Sequence, residues 1–396
     1  MTSSTMGRTP TLTAVPEQEE VLLREAVAGI CSDFGPEYTQ RKVAEGEPPT
    51  ELWDALAERG YLGVNIPEEY DGGGLGMAAL SMVGEEISRA GCSLLLIVVS
   101  PAIAGSILSQ HGNEEQKDRW LRGIGQGTTK IAFAITEPDA GTNSHNLSTS
   151  LKPDGDRFLL NGQKTYISAV EHADHVLVVA RLRGEDGSLG LPVLAIIDVD
   201  TPGFTRTRIP MPDVGPDSQW QLFFDNVEVT EDRLVGGQTG GLGAVFTGLN
   251  PERIMGASVV AGAGRRALAM ASDYARERKV WNGNPIGTHQ GVAHPLAEAK
   301  IELELARLMT QKAAVLYDAG AKGAGEASNM AKYAAAEASI KCVDQAIQTH
   351  GGNGFALEYG LAQMWWGVRL VRTAPVSREM ILNYVAEHSL GLPKSY

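Results

Sequence analysis

Cysteine is scarce in this chain, and basic residues are outnumbered. Cys31, Cys92 and Cys342 are scattered and form no C-x-x-C pair, which excludes a disulfide framework and a cysteine zinc site and leads us to expect a reducing, cytoplasmic setting. Lys plus Arg number 34 against 48 Asp plus Glu, a formal charge of −14, with no basic cluster. A nucleic-acid partner needs a basic stripe to displace counterions, so none is expected. There is no G-x-x-x-x-G-K-[ST], no H-E-x-x-H and no G-x-S-x-G, which removes the chemistries those motifs carry. The run GAGRRA at 262–267 imitates a dinucleotide fingerprint. It follows helical sequence instead of a strand, so small residues at a helix contact explain it better. His172 and His175 have no third ligand nearby, and no metal is expected.

Residues 1–15 are rich in Ser and Thr, carry Arg8 alone and lack an apolar core, so they read as a frayed leader and not as a secretory signal. The uncharged run 90–110 is long enough on paper to span a bilayer. It contains Ser93, Ser100, Pro101, Gly105 and Ser106 and has no flanking basic or aromatic belt. A buried helix, or a helix pair broken near Pro101, is expected, with no membrane span.

Hydrophobic residues make up 43% of the 396 positions, enough for two or three packed units at about 150 residues each. Up to about 128 the texture is helical. It includes a segment 17–34, a capped start expected at Thr50 and another at Asn113, with the glycine-rich loop YDGGGLG at 70–76. From 130 to about 234 come seven short β-rich runs: KIAFAIT, RFLLNG, KTYIS, HVLVVARL, LPVLAIIDV, GFTRTRI and WQLFFDNVEV. Turns are expected at 153–155, at 161–162 and at 184–187. Helical texture then returns, with helices expected at 251–281, 296–318, 326–351 and 379–388. In the second of these, Ile301, Leu305, Leu308, Met309 and Leu316 form one apolar stripe. The fold class is α+β multidomain: a helical domain over 1–129, a central antiparallel β-barrel-like domain over 130–240 and a C-terminal four-helix bundle over 241–396.

Two segments resist an ordinary reading when taken together: FAITEPDAGTNS at 133–144 and NGQKTYIS at 161–168. In this order, within a chain that runs helices, β-module, helices, they resemble the acyl-CoA dehydrogenase family of flavoproteins. The likeness extends over about 17–392. YDGGGLG resembles that family's N-terminal glycine loop, AITEPDAGT its first signature and NGQKTYIS its flavin-facing strand; RERKVW, the His289-Gln290 pair and QTHGGNGF match its C-terminal cofactor landmarks. Asn143 departs from the signature, which carries Asp there, although Asn also caps turns.

The resemblance implies FAD between the β domain and the bundle. Ile135, Thr136, Gly141 and Thr142 would meet the pyrimidine side of the flavin. Tyr166 stands where the family has a stacking Trp, and Ser168 where it has a Thr; both keep the physics of a π face and a short donor. Arg278, Trp281, Gln290, Gln348, Gly351 and Gly352 would hold the adenosine diphosphate portion, partly across a subunit interface. Arg offers pyrophosphate a planar charged fork. Ser377 is a further cofactor candidate.

Removing an α proton while a hydride leaves the β carbon requires a carboxylate facing the flavin across the substrate. Most of the family places that Glu near the C-terminus, where this chain has Pro375. A minority, including isovaleryl- and long-chain enzymes, supplies it from the helix after the β domain, and the NPERI run at 250–254 resembles that arrangement. The residues alone read Pro251 and Glu252 as an ordinary helix start; the resemblance makes Glu252 the general base, with Glu379 as rival. Arg253 and Val376 are expected at the substrate. Pro375 lacks the N–H with which the family polarises the thioester carbonyl, so either Val376 donates instead or activation is weaker.

The function implied is α,β-dehydrogenation of an acyl-CoA in fatty-acid β-oxidation. Electrons would pass to an electron-transfer flavoprotein from a homotetramer or homodimer. A flavin monooxygenase or oxidase on the same fold, and a catalytically silent partner subunit, remain open at this point.

Overall fold

The computed structural model describes residues 16–211, 215–281 and 283–395; the leader reading of 1–15 lies outside them. The first helical region comprises α1 (Gln18–Ser32), α2 (Gly35–Glu45), α3 (Thr50–Ala57), α4 (Gly76–Arg89), α5 (Gly105–His111), α6 (Glu114–Gln116) and α7 (Arg122–Gln126). Asn113 caps as its sequence suggests: its side chain accepts from Gln116 N–H at 2.8 Å while Gln116 Oε1 accepts from Asn113 N–H at 3.1 Å. Thr50 does not cap. It is the first helical residue of α3, and the cap position belongs to Pro49, which makes no side-chain bond.

The uncharged run begins at the C-cap of α4, Ala90, and later forms a π-helical turn, Val98–Ala104, that contains Pro101 and leads directly into α5. The chain does not break at the proline, because a π turn accommodates the missing N–H. Ile97, Ile103 and Ile107 of this run are buried in the core, and among the described residues no helix is long and apolar enough to cross a membrane.

Eight strands follow: β1 (Ile131–Ala134), β2 (Ser150–Asp154), β3 (Arg157–Ser168), β4 (His175–Arg183), β5 (Leu189–Asp198), β6 (Phe204–Ile209), β7 (Gln219–Thr230) and β8 (Leu234–Val235). They form one sheet in the order β6-β7-β3-β2-β4-β5-β8, with β1 on β4. Most pairs are antiparallel; β1 and β2 run parallel to β4. The turn expected at 161–162 is absent, because RFLLNG and KTYIS are one strand. Gly162 sits inside it at φ +148, where a Cβ would lie 2.5 Å from the Thr149 hydroxyl oxygen, so the glycine serves a close strand contact. The turn expected at 153–155 is shorter: Pro153 and Asp154 belong to β2, which pairs with β3.

The first helix of the bundle begins earlier than its sequence suggests. α8 runs Gly241–Glu277, so Pro251 and Glu252 lie within it and are not its start. A small hairpin, β9 (Lys279–Val280) with β10 (Asn284–Pro285), leads to α9 (Gln290–Asp318) and α10 (Ala324–His350). α11 (Leu361–Thr373) was not anticipated, since its Trp, Val and Thr content masks the helical period; α12 (Arg378–Tyr384) follows. The stripe on α9 divides: Ile301, Leu305 and Leu308 are 61%, 62% and 47% exposed, while Met309 and Leu316 pack against a core in which Ala299, Leu303, Ala306 and Ala313 are buried. Small residues let α8, α9 and α10 pack closely, which leaves the larger side chains outside.

The first region is fastened to the bundle by charge. Glu85 and Glu86 of α4 meet Arg24 of α1 at 2.8 Å and Arg265 of α8 at 2.9 and 2.6 Å; Glu85 also meets Arg307 of α9 at 2.5 Å. At the same contact a Cβ on Gly262 would lie 2.2 Å from the Glu85 carbonyl oxygen, so the GAGRRA run is a helix contact.

Candidate functional site

The residues singled out in the sequence gather into three groups. The first lies where β1 ends beside β3. Thr165 N–H donates to the Thr136 carbonyl at 2.9 Å, and Lys164 Nζ donates to the Ile135 carbonyl at 2.9 Å and to Glu137 Oε1 at 2.8 Å. Glu137 also accepts from Ser148 N–H and Oγ–H, both at 2.7 Å, and from Thr149 N–H at 3.0 Å. Burial works against that carboxylate, but the Lys164 charge and these donors outweigh it and bring it down to about 2. The two motifs are therefore locked to each other by a buried ion pair that sequence reading missed, although both partners lay inside the quoted segments.

Beyond Lys164 the β3–β7 register slips. Tyr166 takes φ +57 and presents a ring that is 60% exposed, the π surface expected of it. Ser168 is engaged: its Oγ lies 3.1 Å from Gln219 Oε1 and 2.9 Å from Gln219 Nε2. Gly141 and Thr142 are exposed on the turn that the Glu137–Ala140 bridge closes. Asn143 occupies the position before a short 3-10 turn but makes no side-chain cap bond.

The second group surrounds Glu252, in mid-α8. Burial raises its carboxyl to about 7, against the pull of Arg253 and Lys332. Arg253 Nη1 donates to Asn250 Oδ1 at 3.0 Å, while its Nε is buried without a partner. Gly256, one turn on from Glu252, faces the 374–377 turn: a Cβ there would lie 3.8 Å from Val371 Cγ1 and 4.0 Å from Pro375 Cδ. Lys332 of α10, 1% exposed, donates from Nζ to the Val376 carbonyl. Burial brings this ammonium down to about 8. The N–H of Val376 has no hydrogen-bond partner among the described residues. Ser377 caps α12 by accepting from Met380 N–H at 3.3 Å. Glu379 is exposed in the first turn of α12, 3.8 Å from Arg378. Sequence reading missed Lys332; the available signal was its position four residues after Ser328 and seven before Ser339, on a face of small buried residues.

The third group is a cleft of about 400 Å³ where α8 and α10 both end, lined by Arg278, Gln348, Gly351 and Gly352 together with Tyr274, His350 and Asn353. Tyr274 stacks on His350 at 4.3 Å. Trp281, 86% exposed at the hairpin tip, and Gln290, exposed at the start of α9, are not among the lining residues. His175 Nδ1 is 2.7 Å from Asp198 Oδ1, and His172 lies 3.6 Å from Glu171 and 3.9 Å from Asp217 with its Nε2 unbonded among the described residues. Among the described residues no group of three or more His, Cys, Asp or Glu is placed to hold a metal ion.

Comparisons with known proteins bear on the family and fold of the chain. The N-terminal, middle and C-terminal domain models of acyl-CoA dehydrogenase match residues 17–128, 132–227 and 239–390. Acyl-CoA dehydrogenase FadE12 of Mycobacterium tuberculosis is 53% identical over 385 residues, covering 96% of this chain and 98% of the relative. The glutaryl-coenzyme A dehydrogenase structure in complex with glutaryl-CoA superposes with a TM-score of 0.90 at 28% identity, covering 97% of this chain and 98% of the other. A structure reported for the electron transferring flavoprotein of Acidaminococcus fermentans superposes with a TM-score of 0.89 at 25% identity, covering 96% and 100%. With three domain models spanning it and a relative at this identity, the chain belongs to the acyl-CoA dehydrogenase family of oxidoreductases.

Proposed function

We propose that this chain binds FAD and dehydrogenates an acyl-CoA thioester to the 2-enoyl-CoA, with Glu252 taking the α proton. The observation that carries this reading is a carboxyl within α8 that burial raises to about 7 against the pull of Arg253 and Lys332, where neither a helix start nor an ion pair accounts for it. A base titrating there is ionised in useful proportion near neutrality and still accepts a proton readily. Glu379, exposed on α12, lacks such a setting.

The residues fit FAD. Arg278 and Gln348 border a cleft of the right character for a pyrophosphate and its ribose, and Tyr166 and Trp281 present unstacked aromatic faces. FAD bound there would supply the acceptor for the hydride that leaves the β carbon, and an electron-transfer flavoprotein is the acceptor we expect next. Val376, whose N–H is unoccupied, replaces the donor that Pro375 lacks at the thioester carbonyl. Glu252 and Arg278 stand at separate points of α8, about 39 Å apart at 1.5 Å per residue, so the cleft is read as holding the adenosine end of a second copy's cofactor. The apolar stripe Ile301, Leu305 and Leu308 supplies a face for that copy. This supports a homodimer or homotetramer.

The test is reconstitution with FAD followed by anaerobic mixing with a panel of acyl-CoAs. At least one should bleach the flavin and yield its 2-enoyl product. A protein that stays colourless with added FAD, or a flavin that no acyl-CoA reduces, contradicts the reading.

A further inference from the structure

At the end of β3, Thr165 and Ile167 are buried, Tyr166 is 60% exposed and Ser168 is half-buried. That alternation puts the Tyr166 ring and the Ser168 hydroxyl on one side of the strand. Gln219, the first residue of β7, stands opposite Ser168 in the ladder and is 7% exposed.

A side-chain amide carries two donor hydrogens and an acceptor oxygen, and burying it is unfavourable unless they are met. Among the described residues the only side-chain hydrogen-bond partner of Gln219 is the Ser168 hydroxyl: Nε2 lies 2.9 Å from Oγ, and Oε1 lies 3.1 Å from it. The ladder itself uses only backbone groups, so pairing β3 with β7 does not require this amide. An apolar side chain of similar reach would spare the fold its desolvation.

The backbone on both sides of Gln219 is tied to the turn that follows Ser168. Glu171 accepts from Ser218 N–H at 2.6 Å and from Trp220 Nε1–H at 2.5 Å, and Ala169 N–H donates to the Ser218 carbonyl at 3.0 Å. These ties hold the amide against the hydroxyl, the kind of support that a working group needs and a filler does not.

We infer that Gln219 is a positioning residue for the Ser168 hydroxyl, which it holds so that the hydroxyl hydrogen can be given to a planar heteroaromatic ring received beside Tyr166. The inference rests on the reading that this ring is the flavin of FAD. A serine hydroxyl has one hydrogen and accepts through its lone pairs. Donation from Nε2 fills a lone pair and fixes Oγ. The hydrogen then rests on Oε1 over the longer contact, from which an acceptor atom of the ring can take it. Tyr166 supplies a π face but no such direction.

The experiment is a double-mutant cycle on the full chain, read by FAD titration of the apoprotein and by the visible absorption maximum of the bound flavin. Gln219→Met and Ser168→Ala should each loosen FAD by about five- to tenfold and move the absorption maximum in the same direction. The double variant should bind no more weakly than the weaker single one, because both changes remove the same hydrogen bond. Ser168→Thr, which keeps a hydroxyl, should stay near wild type in both readouts. Gln219→Glu, whose carboxylate only accepts, draws the hydrogen to itself; it should loosen FAD at least as much as Gln219→Met, and less so once Ser168 is alanine.

FAD affinity and spectrum unmoved in Gln219→Met, or losses that simply multiply in the double variant, overturn the inference. If the wild-type chain binds no FAD, the proposed function fails instead, so the two failures are told apart by the first titration.

Discussion

Lys164 and Lys332 are both buried, 0% and 1% exposed, and burial brings both down to about 8, but their surroundings differ. Lys164 meets Glu137 at 2.8 Å, and every oxygen of that carboxylate is filled by lysine, hydroxyl or backbone donors. Its charge is closed within the β domain, where it fixes the turn that carries Thr136 and Thr142 to the strand that carries Tyr166. Lys332 meets the Val376 carbonyl alone among the described residues, and Glu252 is one of several charges that act on it. A satisfied buried pair is scaffold; an unsatisfied one beside a raised carboxyl is the signature of a reacting group.

The largest effect expected from breaking that contrast is on stability. Lys164→Met leaves Glu137 charged, buried and without its cation, and should cost about 3–5 kcal/mol in denaturant unfolding. Lys332→Met should cost much less, because it strands no salt-bridged carboxylate and frees only the Val376 carbonyl. Next in size, Glu252→Gln should lower the rate of flavin reduction by roughly 10³-fold without lowering stability at pH 7. The sign follows from its carboxyl being raised from 4.5 to about 7: ionisation weakens the fold across that interval, and the amide is spared it.

Glu137 has the opposite sign. Its folded value of about 2 lies below the ordinary 4.5, so its contribution is present above 4.5 and is lost as pH falls toward 2. Comparing Glu137→Gln with wild type in acid titrations of stability should show a shallower decline for the variant in that window, from a lower starting stability. The smallest effect in the list concerns the outer face of α9: Ile301→Asp combined with Leu305→Asp should shift light-scattering mass toward the monomer and loosen retention of FAD while leaving the circular dichroism of the chain unchanged.

The architecture was legible because texture changes are coarse: the β-rich runs stand out from the flanking helices, and Asn113 and the glycine landmarks sit where local chemistry requires them. Individual side-chain roles were less so. Pro251 and Glu252 mimic a helix start, and only tertiary packing of the ten residues before them extends α8 to Gly241. The α9 stripe has helical period, yet Ile301, Leu305 and Leu308 of it face outward, since periodicity fixes a face and not its direction. The Asn161-Gly162 pair carries a turn signal, yet in β3 its glycine answers to the approach of Thr149. Lys164 and Lys332 were invisible for a shared reason: a lysine is ordinarily a surface residue, and nothing local marks one whose partner lies 27 or 44 positions away.

The central claim is that the base is carried by the long helix and not by the C-terminal turn. Anaerobic stopped-flow reduction of the FAD-loaded protein by its best acyl-CoA, in wild type, Glu252→Gln and Glu379→Gln, tests it most directly. Glu252→Gln should bleach roughly 10³-fold more slowly, and Glu379→Gln within about threefold of wild type, as expected of an exposed carboxylate. Full-speed bleaching by Glu252→Gln, or its loss in Glu379→Gln, would contradict the account.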